Sequence, residues 1–405
     1  MARQLDDPRE LLIDATIALV AENGLAAFSL RTVSAAIGRS TGVVFHHFGG
    51  KDGLLAAAAE VALGRDTAFH TVMFEDFDGI CSDASITADV VSHYVAARAA
   101  SADPVIRFWW ELTFHTDRWP GAGASRLRHH AMQVDFWQRV LVPLGARTDL
   151  AACITDLVSM ESIFASVLHR EPSYDLLMRE TIRQVVGHRG RTPDSVAHRL
   201  SLSAPPAAPR ISIGEGMAAQ LVESAARQIS LYGVGALNHR RLTAIAGASS
   251  SMIVYHFGNT ERFAEQAIWA ALLQKLPSTL DYEAAVVGER QDPAKWSTGL
   301  LRMLGIGNAD AFYVGYARIV GQTCLLARNN PAFVPLVRHL RILEGAGIHH
   351  ASRTEWPASF ELTRAQAAAF AIWIKGFALS EAPVIGEAAA RQRLTDVIDI
   401  LTASL

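Results

Sequence analysis

The sequence predicts an all-helical (all-α) protein built from two tandem units, and three observations support that prediction. Half of the 405 residues are hydrophobic, and glycine and proline rarely interrupt the long stretches of Ala, Leu, Val and Ile. Alternating apolar and polar runs of the kind that form strands are scarce. In addition, one segment of the chain recurs about 200 residues later, which indicates a duplicated unit.

The duplication is visible when the chain is shifted by 209 residues, which places Gly24 on Gly233. Over the 31 positions that start there, nine residues are identical. The phrase His47-Phe48-Gly49 recurs as His256-Phe257-Gly258. Because the repeated unit is so long, it is a duplicated domain arrangement and not a short solenoid repeat.

A proline-rich linker separates the two units. The stretch SLSAPPAAPRISIGEG at 201–216 holds three prolines and two glycines, a composition that keeps a chain extended and non-helical. We therefore place the boundary between the units near residue 205.

Each unit starts with the same order of short helices. Pro8 suits the first turn of a helix that ends at Asn23-Gly24, and Ser29 is a candidate N-cap for the next helix. The predicted helices of this region lie at about 8–22, 29–37, 40–47 and 51–63, and in the second unit at 217–230, 239–246, 249–256 and 261–275. Longer amphipathic helices are predicted at 149–168, 174–186, 363–379 and 387–402.

Two of these short helices are joined by a tight turn at Gly38, as in a helix-turn-helix. A side chain at this glycine is expected to hold the two helices apart. The run Ala35-Ala36-Ile37 is expected to face the seam between them, and Val33 closes it. In the cluster VVFHHFGGK at 43–51, we expect Val44, His47 and Phe48 to be core residues and the others to face outward.

The charge distribution is uneven although the net charge is only −3. Between Ala27 and Lys51 the chain carries Arg31, Arg39 and Lys51 and no acidic residue. The window from 236 to 258 likewise holds two arginines and no acid. Two locally cationic segments therefore lie in a mildly acidic chain, and local charge of this kind favours an anionic partner.

The sequence offers little for catalysis or metal binding. It holds no P-loop or GxGxxG pattern. Its histidine pairs at 46–47, 129–130 and 349–350 are sequence neighbours, and neighbours on a helix point about 100° apart. We therefore expect no enzyme, no cofactor and no metal site.

The cysteines and the apolar runs indicate a cytoplasmic protein. Cys81, Cys153 and Cys324 are few and far apart, which fits a reducing compartment better than a disulfide framework. The first residues carry acids and lack the apolar core of a signal peptide. No run of 18 or more apolar residues indicates a membrane span.

One set of motifs has a specific pattern: Gly24-Leu25, Phe28-Ser29, Val33-Ser34, the run GRSTGVVFHHF at 38–48, and Lys51-Asp52-Gly53-Leu54. This pattern resembles the DNA-binding domain of the TetR (tetracycline-repressor) family. The resemblance covers about 50 residues of the first unit and, in a more divergent form, 233–263 of the second. The rest of the chain resembles that family only in being helical.

The resemblance implies that the second short helix enters the major groove of double-stranded DNA. It implies DNA contacts for Arg31, Thr32, Arg39, Ser40, Thr41, Gly42, Val43, Phe45, His46 and Lys51. Arg39 could read a guanine and Val43 could touch a thymine methyl. Lys51 matches a lysine that pairs with a phosphate at a helix N-terminus. Phe45 lacks the hydroxyl that a tyrosine would offer to the backbone.

The second copy carries the corresponding candidates His239, Arg240, Arg241, Ser249, Ser250, Met252 and Tyr255. It departs from the family pattern at Ser251, where the family has glycine, at Val254, where an aromatic is usual, and at Thr260, which replaces the lysine. We expect a motif that folds and binds a different or weaker half-site. A purely structural role is the alternative.

The resemblance also implies a helical domain that binds a small apolar or aromatic effector. The candidate ligand residues are Trp110, Phe114, His115, Trp137, Tyr313 and Tyr316. For aromatic residues of this kind a plain core role is the competing interpretation.

The predicted domains are a helix-turn-helix domain at 1–55, a helical regulatory domain at 56–200, a linker at 201–215, a divergent helix-turn-helix domain at 216–264 and a second helical regulatory domain at 265–405. The resemblance implies dimerisation through the last helices of each unit, so 149–168 and 174–186 are expected to pack on 363–379 and 387–402. One chain would then be a fused pseudo-dimer.

The function expected from the resemblance is a ligand-responsive repressor of transcription that binds an asymmetric or pseudo-palindromic operator, with no membrane partner. Two alternatives stay open. One is a ligand-sensing or scaffolding protein without specific DNA binding. The other retains DNA binding only in the first unit, with two chains pairing as a homodimer.

Overall fold

The computed structural model describes residues 7–115, 119, 121–145, 148–187, 195–203, 216–237, 250–274, 289–307, 311–380, 382 and 384–402. Over these residues the regular elements are helices, and no strand occurs among them. The all-helical prediction is confirmed for this part of the chain.

Ten helices described before the linker are α1 Pro8–Asn23, α2 Leu30–Ala36, α3 Thr41–Phe48, α4 Lys51–Phe77, α5 Ala84–Ala100, α6 Pro104–Phe114, α7 Ala122–Val140, α8 Thr148–Leu168, α9 Pro172–Val186 and α10 Val196–Ser203. Those described after it are α11 Met217–Tyr232, α12 Ser250–Phe257, α13 Thr260–Leu273, α14 Pro293–Met303, α15 Phe312–Asn329, α16 Val334–Leu343, α17 Ala346–Thr354, α18 Arg364–Ser380 and α19 Glu387–Thr402.

The ends of the first helices are set by the capping residues that the sequence predicts. The Asp7 carboxylate accepts a hydrogen bond from the Arg9 amide at 2.9 Å, and Pro8 occupies the first turn of α1. The Ser29 hydroxyl accepts from the Thr32 amide, and the Thr32 hydroxyl accepts from the Ser29 amide, both at 3.1 Å. This reciprocal pair is a capping box, which satisfies two amides at the start of α2.

One helix is longer than predicted. The sequence predicts an end near Leu63, whereas α4 continues to Phe77. The extra turns keep an apolar face, because Met73 and Phe77 are buried.

The chain groups into two compact units that do not follow the linker. Unit 1 comprises Met1–Ile80 and Ala100–Gly145, and unit 2 comprises Cys81–Ala99 and Ala146–Leu405. Helices α8 and α9, which precede the linker, therefore share a unit with the helices that follow it.

Unit 1 contains the first helix-turn-helix and helices that support it. Its core combines Ile17 of α1, Val33 of α2, Val44 of α3 and Leu55 of α4 with Phe108 of α6, and all of them are buried. Since α6 contributes to the same core as α1, α2 and α3, any displacement of α6 is expected to reach the helix-turn-helix.

Unit 2 is organised around α18, which is buried along nearly all of its length. This helix packs on α8, α9, α15 and α17, and α19 packs on α8 and α9. Helix α8 is long and apolar enough to cross a membrane by composition, but 78% of its most apolar window is buried inside the protein. Its apolar surface is thus used in packing against α15 and α18.

Helices α8 and α18 approach so closely that a glycine is needed between them. A Cβ atom built on Gly376 of α18 would overlap the carbonyl oxygen of Asp156 in α8. Beside this contact, Ser380 donates to the Asp156 carboxylate at 2.6 Å and Arg393 of α19 donates to it at 2.8 Å. Residues more than 200 positions apart in the sequence therefore meet in one interface.

Gly376→Ala tests this contact. We expect a lower unfolding midpoint, because the methyl group must push two packed backbones apart, at a cost of about 1–3 kcal/mol. Thermal unfolding followed by far-UV circular dichroism measures the change. The matched control is Gly299→Ala in α14, where a Cβ would meet nothing within 4 Å. That substitution should be neutral or stabilising by roughly 1 kcal/mol. Equal effects of the two changes would contradict the close approach.

Candidate nucleic-acid interface and ligand cavity

Helix α3 presents one anchored face and one exposed face. Val44 is fully buried in the core of unit 1. The next two residues, Phe45 and His46, are exposed, with Phe45 at 58% of its surface. Ser40, Thr41 and Gly42 are exposed at the beginning of the helix, and Val43 is partly buried against the core. Successive residues turn by about 100°, so a single buried valine fixes which side chains face solvent.

Two predictions about the surroundings of α3 are wrong. His47 is exposed, whereas Phe48 is partly buried and packs against the core of unit 1 as predicted. Ala35 and Ala36 are exposed as well and do not line the seam between α2 and α3. Ala35, Ala36 and His47 lie in the last turns of α2 and α3, on the side that faces solvent.

The reason for a glycine at position 38 also differs from the predicted one. A Cβ on Gly38 would meet none of the described atoms within 4 Å, so a side chain there would not separate the two helices. Its φ of +66° lies in the left-handed region, which side chains disfavour. The backbone conformation of the turn, not crowding, requires glycine.

The predicted cations of the first motif lie on the surface around α3. Arg31 and Arg39 are exposed. Lys51 begins α4, and its ammonium lies 3.4 Å from the Phe28 carbonyl oxygen and 5.2 Å from the centre of the Phe28 ring. Thr32 is exposed, but its hydroxyl serves the capping box of α2.

Sequence reasoning missed one further cation. The guanidinium of Arg9 lies 5.7 Å from the centre of the Phe48 ring, at the end of α3. The sequence alone places Arg9 in the first turn of α1, directly after Pro8. Only the tertiary fold, however, brings that turn to α3.

The second motif repeats this pattern in α12. Ile253 is buried, whereas Val254 and Tyr255 are exposed at 51% and 85% of their surfaces. Ser251 is exposed and Met252 is partly buried. The exposed positions therefore coincide with those of Phe45 and His46 in α3. The second motif lacks a lysine at the start of its long helix, where the Thr260 hydroxyl lies 3.2 Å from the Glu261 carboxylate.

Part of the second motif is outside the described residues. This applies to the candidates His239, Arg240, Arg241 and Ser249. Ser250 is described only as the first residue of α12.

Each motif is tied to a core helix by the same kind of hydrogen bond. The Glu111 carboxylate of α6 accepts from the Leu25 amide at 2.9 Å. In unit 2 the side-chain oxygen of Gln322 in α15 accepts from the Val234 amide at 2.7 Å. Leu25 and Val234 are equivalent under the 209-residue shift, and each follows a glycine with φ of +80°.

These glycines explain how the acceptors come so close. A Cβ on Gly24 would lie 3.3 Å from the Glu111 carboxylate, and one on Gly233 would collide with the Gln322 amide. Neither Glu111 nor Gln322 was among the predicted site residues, because nothing local relates them to a turn almost 90 residues away.

A cavity of about 110 Å³ lies in unit 2. Four segments line it: α13, the beginning of α15, the turn from α16 into α17, and the middle of α18. The lining residues are Trp269, Leu272, Leu273, Phe312, Tyr313, Tyr316, Leu343, Glu344, Gly345, Ala346, Gly347, Ile348, Ala371 and Lys375.

Two of the six predicted ligand residues, Tyr313 and Tyr316, line this cavity. The other four are Trp110, Phe114, His115 and Trp137, which are buried in unit 1. His115 lies beside the carboxylate that holds the first motif, with its Nε2 atom 3.5 Å from the Glu111 carboxylate.

Three polar side chains in the wall of the cavity are buried: Glu344, Lys375 and Tyr313. Lys375 forms an ion pair with Glu344 and also donates to the Ala371 carbonyl at 3.0 Å. Burial lowers the pKa of the Lys375 ammonium, and the Glu344 carboxylate opposes that shift. Among the described residues the Tyr313 hydroxyl has no hydrogen-bond partner, and burial raises the pKa of Tyr313 above its ordinary range. It is therefore a protonated donor that lacks an acceptor.

Comparison with known proteins agrees with this arrangement of the first motif. Residues 12–58 match the family of bacterial regulatory proteins described as the tetR family. The matched residues run from α1 into α4 and include all of α2 and α3. This part of the chain is a tetR-family helix-turn-helix domain.

Several curated relatives carry the name HTH-type transcriptional regulator BetI. The protein of Burkholderia thailandensis is 34% identical over 114 residues, which are 26% of this chain and 55% of that protein. Those of Paraburkholderia phymatum and Paraburkholderia xenovorans are 31% and 32% identical over 121 residues, which are 30% of this chain and 59% and 60% of those proteins. The chain thus spans a little over half the length of the relatives it matches.

Substitutions of Glu111 test how the first motif is held. Glu111→Ala leaves the buried Leu25 amide without its acceptor, which should destabilise the protein by about 1–3 kcal/mol. Glu111→Gln keeps an acceptor and copies the Gln322 arrangement of unit 2, so we expect a clearly smaller loss. Urea unfolding followed by tryptophan fluorescence measures both variants. If the two substitutions were equally harmful, the carboxylate would act through its charge and not as the cap of this turn.

Proposed function

We propose that this protein is a ligand-responsive transcriptional repressor, acting in the cytoplasm, whose single chain supplies both DNA-binding heads of a pseudo-dimer. The observation that supports DNA binding most directly is the surface of α3. Phe45 and His46 are exposed in a tetR-family domain, and Arg39 and Lys51 flank the helix. A short helix with an exposed face and flanking cations suits the major groove.

In this proposal Arg39, Thr41 and Val43 reach base edges, and Phe45, His46 and Lys51 face the DNA backbone. The remaining proposed contacts of the first head are Arg31, Thr32, Ser40 and Gly42. The second head would use the side chains that α12 exposes, above all Tyr255, whose hydroxyl can donate to a phosphate oxygen. His239, Arg240, Arg241, Ser249, Ser250 and Met252 complete the proposed second contact set.

The packing of unit 2 supports a fused pseudo-dimer. Helices α8 and α9 come from the first copy, and α18 and α19 come from the second, yet the four pack together within one chain. The equivalent caps at Leu25 and Val234 support a common origin of the two copies. The two recognition helices differ in sequence, with GVVFHH at 42–47 opposite SMIVYH at 251–256. The operator should therefore be asymmetric or only pseudo-palindromic.

The cavity in unit 2 supports regulation by a small ligand. Its lining includes α13, the helix that follows α12, and α15, the helix that caps the second motif through Gln322. Tyr313 and Gln322 are nine residues apart on α15, which is roughly 14 Å along a helix. A ligand that shifts α15 would also shift the turn before the second motif, and the populations of DNA-binding and non-binding forms would change.

A second function is favoured by one specific observation, the pairing of Thr260 with Glu261 where the first motif has Lys51. A head without a phosphate-pairing lysine could be a structural remnant. The protein would then bind DNA through the first head alone, or sense a ligand without specific DNA binding.

A mobility-shift titration with DNA from upstream of the protein's own gene tests the function. We expect a complex at low salt that weakens as salt is raised, because phosphate contacts release counterions. Arg39→Ala should weaken binding by about 1–3 kcal/mol if it reads a guanine. Lys51→Ala should lower the salt slope by roughly one.

The control is Arg128→Ala, which removes an exposed cation that pairs with Glu60. It should leave the affinity and the salt slope unchanged. Absence of a complex at low salt, or equal behaviour of all three variants, would contradict specific DNA binding by α3.

A further inference from the structure

A cluster of buried charges lies next to the cavity of unit 2. It contains three cations, Arg341, Arg364 and Lys375, and two carboxylates, Glu161 and Glu344, all buried. Arg341 donates to both oxygens of Glu161 at 3.0 and 3.1 Å, and Lys375 pairs with Glu344. These four side chains form two neutral pairs.

Arg364 is the cation left over in this cluster. It donates to the backbone carbonyl oxygens of Glu344 at 2.6 Å and Ile342 at 2.8 Å, both at the turn that lines the cavity. Burial lowers its pKa to about 10, so the guanidinium keeps its charge at neutral pH. The half-buried Glu180 contributes a more solvated negative charge, and its carboxylate accepts from the amides of Val196 and Ala197.

Two donors on the lining residues also lack acceptors. The Tyr313 hydroxyl and the indole N–H of Trp269 are both buried, and neither has a hydrogen-bond partner in the part of the chain that the structure describes. A buried donor left unpaired costs about 1–3 kcal/mol. An incoming acceptor would therefore gain more here than in a cavity whose polar groups are already satisfied.

One aromatic face of the lining already holds a cation. The ammonium of Lys375 lies 5.2 Å from the centre of the Tyr316 ring. A cationic ligand that used this face would meet Lys375 there. The unsatisfied donors, the excess cation and the occupied ring all favour negative charge in a ligand.

We infer that the cavity binds a compact aromatic carboxylate, with its ring among Trp269, Phe312 and Tyr316 and its carboxylate beside Tyr313 and Lys375. The size limits the ligand to a single ring, because an engineered apolar cavity of roughly 150 Å³ takes up benzene and this one measures about 110 Å³. The effector role of such a ligand rests on the proposed function, whereas its binding does not.

Isothermal titration calorimetry on the full-length chain without DNA tests the inference with three probes of matched size: benzoate, benzyl alcohol and benzylamine. We expect one benzoate site per chain, with benzoate binding tighter than either other probe by about tenfold or more, since a hydrogen bond to a charged group contributes about 1.5–3 kcal/mol. Benzylamine or benzyl alcohol binding as tightly as benzoate would overturn the anionic preference.

Two variants locate the site. Tyr313→Phe removes a hydroxyl that bonds to none of the described residues, so the fold should persist while benzoate affinity falls about tenfold. The double variant Lys375→Met with Glu344→Gln removes a neutral pair, so the net charge of the cluster is kept while the ligand loses its charged donor, and benzoate affinity should again fall about tenfold. Tyr232→Phe, on the exposed end of α11, is the control and should leave benzoate binding unchanged. Wild-type affinity in a folded Tyr313→Phe protein would overturn the assigned site.

The mobility shift separates this inference from the proposed function. Benzoate binding without any DNA complex would contradict the regulator proposal and leave the carboxylate site standing. A specific DNA complex in a protein that does not take up benzoate would overturn the carboxylate site alone.

Discussion

The close contact of α8 with α18 is the constraint on which unit 2 depends. It joins residues that precede the linker to residues that follow it, and Gly376 permits a backbone-to-backbone approach beside Asp156. Close packing of this kind transmits displacement, because a packed interior is nearly incompressible. Whatever moves α18 must therefore move α8 or break the contact.

Buried polar groups give this interface a defined register. Asp156 accepts hydrogen bonds from Ser380 and Arg393. Glu161 accepts hydrogen bonds from two nitrogens of the Arg341 guanidinium. Buried ion pairs contribute little net stability compared with apolar replacements, yet removing one partner costs about 3–5 kcal/mol. The pairs therefore disfavour alternative alignments of α8, α16 and α19. The proposed pseudo-dimer requires a fixed alignment, because its two heads must reach one operator.

The cavity lies where several of these elements meet. Lys375 of α18 lines it, and α18 packs on α8. Tyr313 of α15 lines it, and the same helix caps the second motif through Gln322. A ligand in this cavity would thus touch both a helix of the four-helix packing and the helix that supports the proposed second DNA-binding head. Coupling between the sites requires only that the ligand bind two arrangements of these helices with different affinity.

Local features of the fold could be predicted from the sequence. Pro8, Ser29 and the glycines after α1 and α3 set helix ends through neighbouring atoms, and Val44 sets the face of α3 through helical periodicity. The 209-residue shift predicted the equivalent exposure of Tyr255. These signals act within a few residues, so one chain is enough to interpret them.

Features that depend on distant residues could not be predicted in this way. Glu111 and Gln322 look like ordinary polar residues of core helices until the fold places a turn against them. Tyr313 and Tyr316 were predicted from their aromatic character, but Trp269, Glu344 and Lys375 come from other helices and carry no shared motif. The exposure of His47 depends on where α3 ends relative to the core.

The central claim is that one chain supplies both heads. Native mass spectrometry of the complex with its operator DNA tests it most directly. The account predicts one chain of 43.8 kDa per duplex, in a complex that keeps this ratio as protein concentration rises to saturation. Two chains per duplex, each using only its first head, would contradict it.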